Sequence, residues 1–129
     1  MLLVDMDDLK ALNDEHGHQA GNRAIASVAS SIQRAIRNTD MAARYGGDEF
    51  VIFLPDATAE VAESVAQRIR NHVYRSLFPV GERLQRMTVS VGTSSYPRDG
   101  SLPEDVIYAA SVRTKRDREL RQQAGGPAE

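Results

Sequence analysis

Arg44-Tyr45-Gly46-Gly47-Asp48-Glu49-Phe50 limits what this chain can become more than any other stretch. Met41-Ala42-Ala43 before it has strand composition, and Val51-Ile52-Phe53-Leu54 after it is an apolar, β-branched and aromatic run that Pro55 ends. Two such runs around a Gly-Gly pair predict a β-hairpin, because glycines take positive φ at no steric cost. Asp48 and Glu49 then stand at the hairpin tip, directly before a strand expected to be fully buried. A solvated acidic turn is one reading, since turns favour Asp. A second acidic cluster, Asp5-Met6-Asp7-Asp8, argues for another, because it too follows a short apolar run, Leu2-Leu3-Val4. Carboxylates at the ends of two neighbouring strands can hold Mg²⁺ against phosphates.

The 129 residues suit one domain with a real core, read as a single unit over residues 1–129 with a frayed tail over 120–129. A 41% hydrophobic and 26% charged composition is that of a soluble globular chain. The formal charge of −2 gives no electrostatic reason to expect a nucleic-acid polymer as partner. There is no cysteine, which excludes disulfides, thiolate catalysis and a Cys-based zinc site, and a reducing cytoplasmic setting fits. Nothing resembles a signal peptide or an apolar span of about 18 residues, so no membrane contact by this chain is expected. Only Leu2, Leu3 and Val4 precede the first acid, short for a buried strand, which suggests truncation at the N-terminus.

Asp8 is placed to cap a short helix from Leu9 to about Glu15, stopped by Gly17. From Gln19 to Ile36, the residues Ala24, Ile25, Val28, Ala29, Ile32 and Ile36 mark one face of an amphipathic helix. Thr58 is expected to cap another, with Val61, Ala62, Val65, Ala66, Ile69 and Val73 inside. Pro79-Val80-Gly81-Glu82 reads as a loop, and the alternation over Met87–Gly92 as a half-buried strand. Ser101-Leu102-Pro103-Glu104 has the form of a capping box opening a last helix. That helix is apolar through Val106, Ile107, Ala109 and Ala110, and then a solvated basic stretch from Arg113 to Glu119. The order of elements is the β-α-β-β-α-β plan of ferredoxin-like α+β domains, a sheet covered by helices on one face. In that plan Asp5 and Asp48 can converge.

Several familiar sites are excluded. After Asp5-Met6-Asp7, a calcium loop needs Gly and Glu where Lys10 and His16 stand. No P-loop signature occurs, so triphosphate charge must be met by metal ions, backbone N–H groups and other basic residues. The amides of Asp7 to Leu9 could form an anion nest, compatible with Asp8 as a plain N-cap. His16 and His18 lack zinc spacing. Asn13, Asp14 and His18 could hydrogen-bond a base or simply solvate a helix end.

Six ordered blocks carry a family likeness: Asp5-Met6-Asp7, Asn13-Asp14, Gly17-His18, Gly21, Arg44 to Phe50, and Thr88-Val89-Ser90-Val91-Gly92 with Tyr96-Pro97-Arg98-Asp99-Gly100. Together they resemble the GGDEF domains, the diguanylate cyclases, whose sheet is of the nucleotide-cyclase and polymerase-palm kind. The resemblance implies a homodimer that condenses two GTP into cyclic di-GMP and pyrophosphate. It implies two Mg²⁺ ions per site, with Mn²⁺ as an alternative, held by Asp5, Asp48 and the Met6 carbonyl. Asp48 would be the base for the 3′-hydroxyl, supported by Glu49. Gly46 and Gly47 would let the backbone approach the ligand, Asp8 and Leu9 would face phosphates, and Asn13, His18 and Asn22 would line the guanine pocket. Arg37 and Asp40, in an Arg-x-x-Asp before the hairpin, would form a product-inhibition site with Arg68. The rival is an ordinary helix-end ion pair.

Three departures temper that likeness. Asn22 replaces the family's usual Asp and so has one acceptor where a carboxylate would meet both guanine N–H groups. In the last helix the family's Lys and Arg fall on Arg118 and Gln122, leaving Lys115 or Arg121 to compensate. The family's opening helix is missing, which predicts a poorly covered sheet face. A degenerate domain that binds GTP or cyclic di-GMP without turnover is therefore the alternative, and an intramolecular nucleotide cyclase or palm relative the third reading. GGDEF domains are usually fused to, or partnered by, a sensory module.

Overall fold

The computed structural model describes residues 1–124. Its elements in chain order are β1 (Leu2–Met6), α1 (Leu9–His16), α2 (His18–Ala35), β2 (Met41–Arg44), β3 (Glu49–Phe53), α3 (Ala59–Arg75), β4 (Phe78–Val80), β5 (Arg83–Gln85), β6 (Val89–Thr93) and α4 (Pro103–Gln123). The main sheet runs β2-β3-β1-β6 with every neighbouring pair antiparallel, the ferredoxin-like order expected. Strand β1 is central, with Asp5 opposite Glu49 on one side and Ser90 on the other.

Strand alternation divides the core. Leu2, Val4 and Met6 join Phe50, Ile52, Val89 and Val91 beneath α2 and α3, as the large cluster. Leu3 and Val51 point the other way and meet Ala110 of α4. Helices therefore cover both faces rather than the one face expected, because α4 returns across the sheet. Gly92 permits its close approach: a Cβ there would overlap the Ala110 carbonyl oxygen and the Thr114 amide. The cover is incomplete towards the β2 edge, since Met41 on that strand and its partner Phe53 on β3 are 69% and 47% exposed. Strand β3 is thus not buried throughout, while β6 is buried on both faces rather than one.

Several local expectations change. Asp8 has φ 57° and ψ 30°, and its side chain makes no cap. Asp tolerates this left-handed conformation, but an N-cap needs extended backbone to turn its carboxylate inward. Helix α4 likewise begins without a capping box: Leu102 holds the N-cap position, and Pro103 supplies the preset φ. The loop expected at 79–82 is a hairpin, β4–β5, turned by Gly81 at φ 61°. Pro79 obscured it, although proline is tolerated in an edge strand. Thr58 does cap α3, accepting from the Val61 amide, and Val61 itself faces solvent at 41% exposure. Leu120 to Gln123 belong to α4 rather than to a frayed tail, whose remainder from 125 onward lies outside the described residues.

The stretch expected to be a solvated basic run is instead structural. Asp117 accepts from the Val91 amide, while Arg70 and Arg113 donate to the Val91 and Thr93 carbonyls. Strand β6 lies at the edge of the sheet, and these side chains occupy backbone groups that would otherwise template another strand.

Candidate active site

The hairpin tip and the end of β1 meet through the backbone. The Met6 amide donates to the Asp48 carbonyl at 2.8 Å, and the Asp7 amide to Thr88 at 3.0 Å. That second bond removes Asp7 from the proposed anion nest, leaving the amides of Asp8 and Leu9 as its candidates. Gly46 and Gly47 sit in a four-residue connection and neither adopts the positive φ expected. The turn is closed differently. The Tyr45 and Gly46 amides donate to the Glu49 carbonyl at 2.8 and 3.3 Å, and the Arg44 guanidinium donates to the carbonyls of Gly46 and Gly47. A Cβ at Gly46 would lie 2.6 Å from Glu49 Oε1, so the glycine makes room for that carboxylate.

Asp5 and Asp48 come together, close enough for the Asp48 charge to bear on the Asp5 carboxyl. Burial pushes the Asp5 carboxyl up to about 6; Arg118 opposes that rise and Asp48 adds to it. Asp5 Oδ1 is buried with no hydrogen-bond partner. An acceptor in that condition, beside a second carboxyl, suits a hard divalent cation. Among the described residues, however, no group of three or more His, Cys, Asp or Glu side chains is arranged to hold a metal. Asp5, Asp48 and the Met6 carbonyl are the candidate protein ligands. A Mg²⁺ ion would draw its remaining oxygens from phosphate and water, its ordinary habit.

Asp7 points to the same side of the strand end as Asp5 and is the hub of a network (a role that sequence reasoning missed). Thr88 Oγ1 and Ser90 Oγ each donate to it at 2.7 Å, Arg118 Nε at 3.1 Å and Arg121 Nη2 at 2.8 Å. Burial alone would raise this carboxyl, but the bonds from Arg121, Thr88 and Ser90 hold it below the usual carboxylate range. Arg118 also reaches Asp5, with Nη2 3.1 Å from Oδ2. Arg121, not the exposed Lys115, is therefore the second cation beside the acidic cluster, and Gln122 is exposed. The three-residue spacing of Arg118 and Arg121 on one helix face was the available signal.

The base-pocket candidates lie at the α1–α2 corner. Asn13 packs against Gly21, where any Cβ would collide with its side-chain amide, and Asn13 Oδ1 is buried without a partner. His18 and Asn22 are exposed on the first turns of α2. The Arg-x-x-Asp residues have the geometry of the rival ion pair. Arg37 Nη2 is 2.9 Å from Asp40 Oδ1, the Asp40 side chain is 0% exposed, and it also accepts from the Arg37 amide. Arg68 donates twice to the Ala35 carbonyl at the end of α2.

The family model described as the diguanylate cyclase GGDEF domain matches residues 1–123. The chain belongs to the GGDEF domain family. Diguanylate cyclase A of Treponema denticola is 39% identical over 111 residues, covering 85% of this chain and 30% of that protein. Diguanylate cyclase SiaD of Pseudomonas aeruginosa, solved in complex with its activator SiaC, superposes with a TM-score of 0.86 at 28% identity, over 92% of this chain and 45% of that one. The GGDEF domain of DgcB from Caulobacter crescentus, solved in complex with c-di-GMP, gives 0.83 at 29% identity, over 92% and 71%. This GGDEF domain spans about a third or less of the curated relatives it matches. Its sheet, palm-like in these neighbours, carries the signature Gly46-Gly47-Asp48-Glu49-Phe50 at the tip beside Asp5. No helix among the described residues is long and apolar enough to cross a membrane.

Proposed function

We propose that this GGDEF domain is a diguanylate cyclase that condenses two GTP into cyclic di-GMP, each subunit of a homodimer contributing one bound nucleotide. The observation that carries the reading is the buried, unpartnered Oδ1 of Asp5, whose carboxyl lies within reach of the Asp48 charge at the junction of β1 and the hairpin tip. Asp5, Asp48 and the Met6 carbonyl would hold the Mg²⁺ ions, or Mn²⁺ in their place. When bound, these supply charge neutralisation for the pyrophosphate and a more acidic 3′-hydroxyl. Asp48 would accept the 3′-hydroxyl proton as that oxygen bonds to the opposing α-phosphorus and pyrophosphate departs. Glu49, turned over Gly46, would steady the tip. Arg118 and Arg121 would meet phosphate oxygens together with the amides of Asp8 and Leu9. Asn13, His18 and Asn22 would contact guanine.

The wider role follows the same reading. A domain that makes up about a third or less of its relatives would be the output portion of a longer cytoplasmic signalling chain, its dimerisation set by a fused or partner sensory module. Cyclic di-GMP would bind at Arg37, Asp40 and Arg68 and inhibit. Arg68 would first release the Ala35 carbonyl, while Asp40 keeps Arg37 oriented.

Incubation with GTP and Mg²⁺, followed by chromatography of the products, tests the reading. Cyclic di-GMP that disappears in Asp48→Asn is expected; no dinucleotide, with GTP still bound, would instead favour the non-catalytic receptor. Asn22 is the observation on the receptor's side, because it weakens the guanine contact. An Arg37→Ala variant should lose affinity for added cyclic di-GMP. Unchanged binding would refute the inhibitory assignment.

A further inference from the structure

Arg118 is held at its two ends in very different ways. Its Nε donates to Asp7 Oδ1 at 3.1 Å with good alignment, and Asp7 is itself immobilised by Thr88, Ser90 and Arg121. Its Nη2 lies 3.1 Å from Asp5 Oδ2, yet the pair lacks hydrogen-bond alignment and the buried Nη2 makes no other bond. One end is anchored; the other is near a carboxylate and poorly satisfied. Because the head is rigid and planar, the motion open to it is a pivot of the whole plane about the Nε–H···Oδ1 line, with the aliphatic stem adjusting, which swings Nη2 away from Asp5 while the bond to Asp7 is kept.

A divalent cation on Asp5 would sit within a few ångströms of that guanidinium and repel it, so the two compete for one carboxylate. An arriving triphosphate supplies the bidentate oxygen acceptor that an arginine end prefers. We infer that Arg118 is a two-position residue: Nε stays on Asp7 while Nη2 exchanges between Asp5 and phosphate, so Asp5 takes a cation readily only when Nη2 has left. Metal and nucleotide are thereby coupled through one side chain, and Asp7 is the positioning residue that keeps Arg118 within reach of both. The inference rests on the proposed cation site and concerns what controls access to it.

The probe is Mn²⁺ alone, without nucleotide, titrated against the protein and followed by the electron paramagnetic resonance of the free ion. Arg118→Met should bind Mn²⁺ about three- to tenfold more tightly than the unsubstituted chain, the scale of one partly solvated charge contact. Arg121→Gln removes a charge from the same cluster that touches Asp7 but not Asp5. Its Mn²⁺ affinity should stay within about twofold of the unsubstituted chain, because only a direct competitor gives the larger gain. No gain in Arg118→Met, or an equal gain in Arg121→Gln, overturns the inference. A second measurement needs no variant: in the ¹⁵N-arginine spectrum, added Mg²⁺ should shift the Arg118 Nε–H signal while its protection from solvent exchange persists. An unmoved signal, or lost protection, overturns the two-position account. Failure of Mn²⁺ to bind any of these proteins removes the cation site itself; binding that ignores Arg118 removes only the competition.

Discussion

Replacing Asp5 by Asn should make the protein more stable while depriving it of cation binding. Burial, aided by Asp48 and opposed by Arg118, moves the Asp5 carboxyl from an ordinary 3.8 to about 6. Folding therefore favours the neutral acid. The stabilisation this provides is fully present below about pH 4 and is lost as pH rises through 6, where the buried carboxyl must ionise. Each pH unit of displacement corresponds to about 1.4 kcal/mol. The side chain keeps 18% exposure and solvent screens the charge, so about 1–2 kcal/mol is the expected scale rather than the full product. The amide of Asp5→Asn would avoid that ionisation and could donate to Asp48. Urea denaturation in chelator-containing buffer should show the variant more stable by about 1–2 kcal/mol at pH 7 and nearly equal to the parent at pH 4. Calorimetric titration with Mg²⁺ should show binding lost. A variant less stable at pH 7, or an advantage equal at both pH values, would refute the reasoning.

Gly92→Ala should cost about 1–3 kcal/mol in thermal or urea unfolding, because the added methyl meets the α4 backbone, which cannot swing aside as a side chain can. An unchanged melting temperature would mean that α4 does not lie as close as described. Asp99 is held down to about 2 mainly by hydrogen bonds from Arg113, so its contribution is present above about pH 4 and lost as pH falls towards 2. Asp99→Asn should then destabilise by about 0.5–1 kcal/mol at pH 7, given the half-exposed arginine, and make little difference near pH 2; a deficit constant with pH would contradict this. Mixed GTP and ATP should yield some hybrid dinucleotide or reduced turnover from the unsubstituted chain. Asn22→Asp should restore guanine preference by about tenfold or more, the value of one charged hydrogen bond. Purely cyclic di-GMP with undiminished preference before the substitution would argue against a role for Asn22.

Much of the fold was legible because its signals are local. The apolar periodicity of α2 and α3, the strand compositions of β1 and β3 and the Thr58 cap all concern neighbours within a turn or two, and all reappear. The failures share a cause as well. Asp8, Ser101 and the glycines at 46 and 47 were assigned from residue preference, but their backbone angles answer to what is packed against them. Thus Asp8 turns left-handed between the strand end and α1, and Gly46 is small to admit Glu49.

The candidate site divides along the same line. Sequence alone determined that carboxylates end two apolar runs, and the ferredoxin-like order of those runs requires β1 beside the hairpin; the meeting of Asp5 and Asp48 follows. Only the tertiary structure decided what faces them. Family register put a cation at position 118, but Arg118 lies 111 positions from Asp7 in the chain, and the second half of α4 reads locally as a solvated basic stretch with nothing to aim it. Its register over the sheet is set by the missing Cβ of Gly92, by Thr114 on the Leu3 carbonyl and by Asp117 on the Val91 amide. Contacts between segments so far apart depend on helix register and distance, which residue preferences do not encode.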